Sequence, residues 1–318
     1  MALTGTARWT YELTRKAYGE TLVELGHENP RVVVLDADLA ESTFTKMFRA
    51  EFPGRFFEMG IAEQDMVGTA AGLALQGFIP YLSSYAIFIT GRAFDQCRQD
   101  VDYMNTNVKL AAAHGGISVG KDGPTHQSME DLACMCACTN MTVLVPADYH
   151  ETKKAVRWAS EYEGPVYFRL GREKVPMVTD ENSPFERGKG YIHIDGTDGT
   201  IIACGLMLSA AVEAREQLEE EHGIKPRVVN MPFLKPIDEE LIEKCARETG
   251  AIVTAEEHQI YGGLGSIVAR VVVEKHPVPM RIVGIPNMYL GSGDPEDLLS
   301  IAGLTGKNIA SKMMEILK

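Results

Sequence analysis

The 318-residue sequence lacks three features, each of which would assign it to a particular class of protein. It contains no apolar run of about 18 residues or more, so we expect no transmembrane helix and no membrane partner. Residues 1–14 hold no apolar segment of the kind that a secretory signal peptide needs. The six cysteines are scattered along the chain, which argues against a disulfide framework and favours a reducing, cytoplasmic location.

Basic residues are also in short supply. The chain has 31 Lys and Arg against 44 Asp and Glu, which gives a formal net charge of -13. Binding to nucleic acid needs a basic surface that faces the phosphates, so we expect no nucleic-acid partner. A small phosphate can still be bound by a few local cations. The length allows one large α/β domain or two domains.

Apolar runs typical of buried strands alternate with helical patterns along the chain. This order predicts a mostly parallel sheet with helices on both faces. The strand patterns of the first half cover residues 31–35, 78–84, 108–113, 141–146 and 166–170, and its helical patterns cover residues 10–25, 62–76, 91–104, 129–138 and 149–161. Residues 175–199 are rich in Pro, Asp, Ser and Gly and predict a linker. A second, smaller α/β pattern follows, so we predict two domains, residues 1–185 and 186–318.

The most informative segment is the loop AHGGISVGKDGPTHQ at residues 113–127. It carries His114, Asp122 and His126 among four glycines, which let the backbone come close to a ligand. Histidine is the side chain best suited to moving protons near neutral pH. Because α/β proteins bind ligands in loops that follow parallel strands, the segment indicates a ligand site. An ordinary loop with solvated histidines is the alternative interpretation.

A second segment, GIAEQDMVG, places Glu63 between a glycine-containing turn and a helix of small residues. A carboxylate in this setting can share a proton with a bound ligand. It can also do no more than stabilise the start of a helix through the macrodipole.

Taken together, the two segments resemble the pyrimidine-binding domain of transketolases, which are thiamine-diphosphate enzymes. GKDGPTHQ is highly specific to this family, whereas GIAEQ is shared with other thiamine-diphosphate enzymes. The resemblance runs from Thr14 to the C-terminus and implies that the second domain is a transketolase C-terminal domain. It implies transfer of a two-carbon ketol unit from a ketose phosphate to an aldose phosphate, a reaction of the pentose phosphate pathway.

The resemblance also implies which residues hold the cofactor. Glu63 would hydrogen-bond the ring nitrogen of the aminopyrimidine and so activate thiamine diphosphate from the far side of its ring. Tyr85 and Phe88 match aromatic residues that line the pyrimidine pocket, although both could simply be core residues. Asp38 matches a position beside the cofactor and could equally be a turn residue. Gly91 stands where transketolases often have a third aromatic.

A further set of residues matches the family's substrate-binding positions. Arginine suits a sugar phosphate because its planar fork bonds phosphate oxygens in pairs. His114 and His126 would act with Glu63 in catalysis, by stabilising the reacting groups and moving protons. The residues implied to bind substrate are Arg15, Ser42, His114, Asp122, His126 and Arg172. Arg169 competes with Arg172 for its role, and Arg15 taken alone would be a surface residue of a helix.

One motif of the family is missing. Thiamine-diphosphate enzymes hold the diphosphate through a metal bound by a Gly-Asp-Gly motif followed by Asn, and no segment here fits that pattern. We therefore expect no metal site on this chain. The diphosphate and Mg²⁺ (or Ca²⁺) would bind to a separate N-terminal subunit, and two copies of each chain would form a heterotetramer.

Other functions stay open. The matching half of 1-deoxyxylulose-5-phosphate synthase and the β-subunit of a 2-oxo-acid dehydrogenase share the glutamate and the architecture. The GPTHQ loop with both His114 and His126, together with Arg15 and Ser42, points to a phosphorylated sugar and towards a transketolase. A 2-oxo-acid enzyme would have no need of that phosphate-binding set. A non-catalytic scaffold subunit would have no need of Glu63, His114 or His126.

Two clusters suggest metal binding on first inspection. In CMCAC, Cys134 and Cys136 are two residues apart, and such positions point in different directions on a helix. For residues 256–258, Glu-Glu-His, the resemblance implies a loop of the C-terminal domain near a dimer interface and not a ligand set.

Overall fold

The apolar runs of the first half form a largely parallel sheet in the computed structural model, which describes residues 9–317. The strands of this half are β1 (Tyr11–Glu12), β2 (Val32–Asp36), β3 (Phe56–Glu58), β4 (Ile79–Tyr85), β5 (Lys109–Ala113), β6 (Thr142–Leu144), β7 (Val166–Arg169) and β8 (Val175–Pro176). Strands β2 to β7 pair in the order β6-β7-β5-β4-β2-β3, and every pair in this series is parallel. The short strands β1 and β8 pair with each other in antiparallel fashion.

Helices cover both faces of this sheet. They are α1 (Thr14–Glu28), α2 (Ala40–Thr43), α3 (Lys46–Glu51), α4 (Glu63–Leu75), α5 (Phe94–Gln96), α6 (Asp131–Ala137) and α7 (Tyr149–Glu161). On one face, Val32 and Val34 pack with residues of α1 and α7. On the other face, Val33 and Leu35 pack with residues of α4 and α6. Because the strands are buried on both sides, they read as continuous apolar runs and not as alternating patterns.

The second half forms a smaller α/β layer around its own sheet. Its strands are β9 (Tyr191–Ile194), β10 (Thr200–Ala203), β11 (Arg227–Asn230), β12 (Phe233–Lys235), β13 (Ile252–Gln259) and β14 (Met280–Ile285). Its helices are α8 (Met207–His222), α9 (Glu239–Thr249), α10 (Leu264–Lys275), α11 (Pro295–Ile301) and α12 (Gly306–Ile316). The sheet order is β14-β13-β10-β11-β9, with β9 as the antiparallel edge strand. The predicted fold class, two α/β domains with largely parallel sheets covered by helices, is confirmed.

The two halves share a buried interface. Strand β12 comes from the second half of the chain but pairs with β6 at the edge of the first sheet. Its Lys235 donates from Nζ to the carbonyl oxygens of Cys136 (3.1 Å) and Cys138. One apolar cluster contains both Met66 of α4 and Leu264 of α10. Residues beyond position 185 thus complete the first sheet, and the division of the chain at that position stays a prediction.

Several sequence-based expectations were wrong in detail. The predicted linker at 175–199 contains β8 and β9, because its polar residues flank short strands that pair at sheet edges. The helical segment predicted at 91–104 is confirmed as helical, but it consists of two π-helical stretches, Phe88–Arg92 and Cys97–Tyr103, on either side of α5. The predicted strand at 251–255 continues to Gln259, so the Glu-Glu-His cluster lies in a buried strand and not in a loop.

Two further observations concern membrane spans and metal sites. None of the helices found between residues 9 and 317 is long and apolar enough to cross a bilayer. In the same residues, no group of three or more His, Cys, Asp or Glu side chains is arranged to hold a metal ion. All six cysteines are free, and Cys134 and Cys136 are half-buried on α6.

Candidate active site

Four neighbouring strands of the first sheet end at the same edge, because β2, β4, β5 and β7 are parallel. Asp38 follows β2, Tyr85 ends β4, His114 follows β5 and Arg172 follows β7. The carboxyl edge of a parallel sheet is the usual ligand-binding position in this class of fold. The candidate residues that the sequence scatters over more than 130 positions therefore share one edge.

Glu63 lies at the start of α4 and is 3% exposed. Its carboxylate accepts hydrogen bonds from Nη1 of Arg92, which is 3.2 Å from Oε1 and 3.3 Å from Oε2. The hydroxyl of Ser84, the penultimate residue of β4, donates to Oε1 at 3.3 Å. These residues sit beside an open cleft of about 700 Å³ that Ile61 and Arg92 help to line. A ligand in the cleft could therefore reach this buried carboxylate.

Next to Glu63 lies a group of four rings. Tyr85 stacks on His114 with ring centroids 3.8 Å apart, and it stacks beside Phe88 at 5.7 Å. His126 meets Phe88 edge-on at 5.3 Å. The guanidinium carbon of Arg92 lies over the Phe88 ring, 4.0 Å from its centroid. The two aromatic and two imidazole candidates thus form one continuous wall, which reaches Glu63 through Arg92.

His114 is held in an unusual state. Its backbone has φ 58°, a left-handed conformation that few residues other than glycine adopt, and its side chain is buried. Burial, and after it the charges of Arg15, Arg172 and His126, together lower the pKa of His114 to about 2. Its Nδ1 is buried and has no hydrogen-bond partner among the described residues. The ring is therefore neutral at physiological pH and offers an unused nitrogen to a ligand.

Arg15 joins two of the other candidates. Its guanidinium donates to the carbonyl oxygens of Ser42 and Arg172, which are 27 and 157 positions away in the chain. The side chain is 9% exposed, so Arg15 is not the surface residue that its helix position alone would suggest. Burial lowers the pKa of Arg15 to about 10, and the guanidinium still keeps its charge near neutral pH. Arg15 thus places a positive charge beside His114 at the sheet edge.

The remaining polar candidates lie near this cation. Arg172 is half-buried, forms an ion pair with Asp122 at 3.1 Å and donates to the carbonyl oxygen of Val119. Arg169, the competing arginine, is buried and paired with Asp131 at 3.1 Å. It also donates to the carbonyl oxygens of residues 257 and 128, so its donors are turned into the protein interior. Of the two arginines, Arg172 is the one that can reach a ligand.

Asp38 stands outside this network. It is exposed, has φ 62°, and its backbone N–H donates to Oε1 of Glu58 at 2.8 Å. Among the contacts of residues 9–317, no hydrogen bond or ring contact joins the Asp38 side chain to the other candidates. The geometry matches the turn residue that sequence reasoning kept as the alternative.

Residues of the second domain pack against the loop at 113–127, which carries His114 and His126. Gln127 donates from Nε2 to the carbonyl oxygen of Gly291 at 3.1 Å. Gly120 and Gly123, both with φ 75°, lie so close to Pro295 and Ser292 that a Cβ atom would be 2.9 Å and 2.3 Å from those side chains. The glycines of the loop are therefore needed for close packing against the second domain as well as for ligand approach.

Sequence reasoning missed Arg92, Ser84 and Glu257. Arg92 is four residues after Phe88, and this spacing brings side chains together on a helical turn. The spacing could therefore have indicated that Arg92 lies beside the aromatic candidates. Ser84 had no local signal, because its contact with Glu63 depends on how α4 packs against β4. Glu257 was mistaken for a loop residue, whereas it belongs to β13.

Comparison with known proteins identifies the family. Residues 13–178 match the model of the transketolase pyrimidine-binding domain, and residues 188–309 match that of the transketolase C-terminal domain. The chain belongs to the transketolase family. A protein of Methanocaldococcus jannaschii named as a transketolase C-terminal section is 47% identical to this chain over 312 residues, which is 97% of each sequence.

Two further relatives show the range of this transketolase family. A solved structure described as a split gene transketolase, inactive beta4 tetramer, superposes with a TM-score of 0.90 at 50% identity, and covers 96% of this chain and 98% of that one. The 1-deoxy-D-xylulose-5-phosphate synthase of Heliobacterium modesticaldum is 40% identical over 95% of this chain, but the match spans only 46% of that enzyme.

Membership of the transketolase family implies dependence on thiamine diphosphate. The residues at the sheet edge fit the aminopyrimidine half of this cofactor. A buried carboxylate, Glu63, borders an open cleft, and an aromatic wall stands beside it. His114 adds a buried nitrogen that has no partner within the described residues. A flat, nitrogen-bearing ring needs a stacking surface and a carboxylate at its edge, and both are present.

Proposed function

We propose that this chain is the C-terminal subunit of a two-chain transketolase, which transfers a two-carbon ketol unit from a ketose phosphate to an aldose phosphate. The observation that carries the proposal is the continuous series of contacts from Glu63 through Arg92, Phe88, Tyr85 and His114 at one sheet edge. A scaffold subunit would have no use for a buried carboxylate beside a cleft or for a stacked, neutral histidine.

In this proposal each residue of the wall has one task. Glu63 binds the aminopyrimidine nitrogen, and Phe88 and Tyr85 support the flat face of that ring. Thiamine diphosphate supplies a nucleophilic carbon and an electron sink for breaking a carbon–carbon bond. His114, held neutral by burial, donates or accepts a hydrogen bond at the substrate oxygen without adding a charge. His126, half-buried and paired with Thr125 Oγ1 at 2.9 Å, is placed to exchange a proton with the substrate.

The positive end of the network suits the phosphate of a sugar. Arg172 is half-buried, and its partner Asp122 is about as exposed, so the ion pair can open toward a ligand. Arg15 supplies a second positive charge behind it, bound to the carbonyl oxygens of Ser42 and Arg172. Arginine is over-represented at phosphate sites because its planar guanidinium can bond two phosphate oxygens at once. When Arg172 turns to the phosphate, Asp122 is released from the ion pair and can bind a substrate hydroxyl.

A partner chain would complete the site. Ile61, two residues before Glu63, is 74% exposed at the cleft, and exposed apolar groups beside a functional cleft favour a protein contact. We assign to an N-terminal transketolase subunit the diphosphate and its Mg²⁺ or Ca²⁺, because the described residues offer no metal-binding group. The related structure is described as an inactive beta4 tetramer, which supports the need for a second type of chain. A heterotetramer in the cytoplasm is the proposed working form.

The experiment mixes purified subunits. This chain alone, and this chain with a candidate N-terminal subunit, are assayed with thiamine diphosphate, Mg²⁺, xylulose 5-phosphate and ribose 5-phosphate. Ketol transfer in the mixture only is the expected result. Transfer by this chain alone would show that the assignment of the diphosphate site to a partner is wrong.

A second candidate is the matching half of 1-deoxyxylulose-5-phosphate synthase, favoured by the 40% identity to that enzyme. Both reactions use a phosphorylated sugar acceptor, so Arg15 and Arg172 do not separate them. The donor does: pyruvate with glyceraldehyde 3-phosphate would yield product and carbon dioxide if the second candidate is right. A transketolase gives neither with pyruvate and reacts with a ketose phosphate.

A further inference from the structure

Arg92 covers the Glu63 carboxylate from the solvent side. Its Nη1 lies within 3.3 Å of both carboxylate oxygens, and its guanidinium lies 4.0 Å from the centre of the Phe88 ring. The Arg92 side chain is 51% exposed, whereas that of Glu63 is 3% exposed. The buried Glu63 carboxylate is therefore paired with a partly exposed side chain, and Arg92 has room to move into the cleft.

The Arg92 guanidinium occupies the place where the proposed function puts the flat aminopyrimidine ring. A guanidinium is planar and carries only donors, so it can stack on an aromatic ring and donate to a carboxylate at the same time. An aminopyrimidine that uses Glu63 and the aromatic wall makes the same two contacts. Two planar groups cannot stack on one area of Phe88 and bond the same oxygens together, so one must leave when the other arrives.

We propose that Arg92 is a latch on the cofactor site, which holds the place of the aminopyrimidine in the cofactor-free chain and moves out when the cofactor binds. This inference rests on the proposed function. The latch has a physical purpose, because an unpaired charge buried at Glu63 would be costly, and Arg92 keeps it paired until the ligand replaces the donors. Its exposure makes the movement cheap, since it does not require repacking of the core.

A latch reduces the observed affinity for the cofactor in a calculable way. The apparent dissociation constant equals the intrinsic one divided by the fraction of open molecules. If the pair is closed in about nine molecules out of ten, removing it tightens binding about tenfold. Removing the pair should also lower the stability of the cofactor-free complex, because Glu63 loses its charged partner. The stability of the cofactor-bound complex should not change.

The test measures binding of thiamine diphosphate with Mg²⁺ to the assembled two-chain complex by titration calorimetry, so its main readout is affinity and not activity. Arg92→Met keeps an apolar stem over Phe88 and removes the planar charge. Arg98→Met is the matched control, because Arg98 is an exposed arginine on the next π turn and its replacement removes the same charge. We expect about tenfold tighter binding for Arg92→Met, no tightening for Arg98→Met, and a larger cofactor-induced rise in Tm for Arg92→Met.

Each other outcome overturns the latch. Equal or weaker binding by Arg92→Met, with normal binding and ketol transfer by the unaltered complex, shows that Arg92 is part of the loaded site or a bystander, while the proposed function stands. If the unaltered complex binds no thiamine diphosphate and transfers no ketol unit, the proposed function fails and the latch fails with it.

Discussion

The carboxylate of Glu257 accepts a hydrogen bond from the backbone N–H of Ser118 at 2.7 Å, although the two residues are 139 positions apart. Glu257 belongs to β13 of the second domain, and Ser118 to the loop between His114 and His126. Arg169 approaches the same loop and donates to the carbonyl oxygens of Glu257 and Ser128. A buried polar contact between the domains therefore fixes the segment that carries both candidate catalytic histidines.

Removing the Glu257 carboxylate should loosen this segment. Glu257→Ala leaves the Ser118 N–H buried without an acceptor, and such a loss costs about 1–3 kcal/mol of unfolding free energy. Glu257→Gln keeps an oxygen acceptor and should cost less. Urea unfolding of both variants checks the order. A Gln variant as unstable as the Ala variant would show that the charge beside Arg169, and not the bond to Ser118, is what matters.

A methyl group at Gly116 should be poorly tolerated because of the same contact. Gly116 has φ 84°, and a Cβ there would lie 2.2 Å from Cδ of Glu257. Gly77, with φ 89°, has open space around its Cβ position and is the matched control. Gly77→Ala should cost only the backbone strain, about 1–2 kcal/mol, and Gly116→Ala about 1–3 kcal/mol more from overpacking. Equal unfolding free energies for the two variants would contradict the tight interdomain packing.

Glu151 should make stability depend on pH. Burial raises the pKa of Glu151 from its ordinary value of 4.5 to about 8. The folded protein thus holds a proton that the unfolded chain releases between about pH 4.5 and pH 8. The unfolding free energy should fall as pH rises through this window, by up to about 1.4 kcal/mol per pH unit.

Glu151→Gln is the variant that isolates this effect. Its amide can still accept from the backbone N–H of Ala147, and a turn of the Asn230 amide would offer Oδ1, which now lacks a partner among the described residues. Urea unfolding at several pH values should show that the difference between the original chain and the variant shrinks toward acid pH and favours the variant toward pH 8. A difference that does not change with pH would contradict the raised pKa.

Arg172 and Arg169 should behave differently when each is changed to Met. Arg172→Met removes a half-exposed cation and should raise KM for a phosphorylated acceptor about tenfold to a hundredfold, because hydrogen bonds to charged groups contribute about 1.5–3 kcal/mol. KM for the same aldose without its phosphate should not change. Arg169→Met leaves the buried Asp131 carboxylate without its cation and with the Tyr167 hydroxyl as a remaining donor, so it should lower stability instead. Steady-state kinetics and urea unfolding of both variants distinguish phosphate binding from a structural role. An Arg172 variant with unchanged KM would contradict the assignment of Arg172 to the substrate phosphate.

The sequence predicts the parts of this molecule that depend on local pattern. The Tyr149–Glu161 helix has the predicted bounds because Asp148 caps its start and its apolar residues face the sheet. The parallel strands are equally clear, since burial on both faces selects continuous apolar runs. Strand β12 could not be predicted, because three residues carry no periodicity and their partner, β6, lies about 90 positions earlier.

The same distinction holds at the site. Glu63, His114 and His126 lie in local motifs, so the sequence suffices to select them. The Arg92–Glu63 pair and the Glu257–Ser118 bond join distant segments, and their polar residues were either passed over or assigned to loops. Charged residues in buried strands, such as Glu257, oppose the usual expectation that charges lie outside. Only the partners at the interface make their burial possible.

The central claim is that Glu63 activates the cofactor in a two-chain transketolase, and the most direct measurement is ketol transfer by the assembled complex that carries Glu63→Gln. Glu220→Gln, which removes an exposed charge on α8, is the control. The account predicts a fall in kcat by a factor of about a hundred or more for Glu63→Gln, since acid–base catalysis typically contributes that much, and no change for the control. Near-normal turnover of Glu63→Gln would contradict the account.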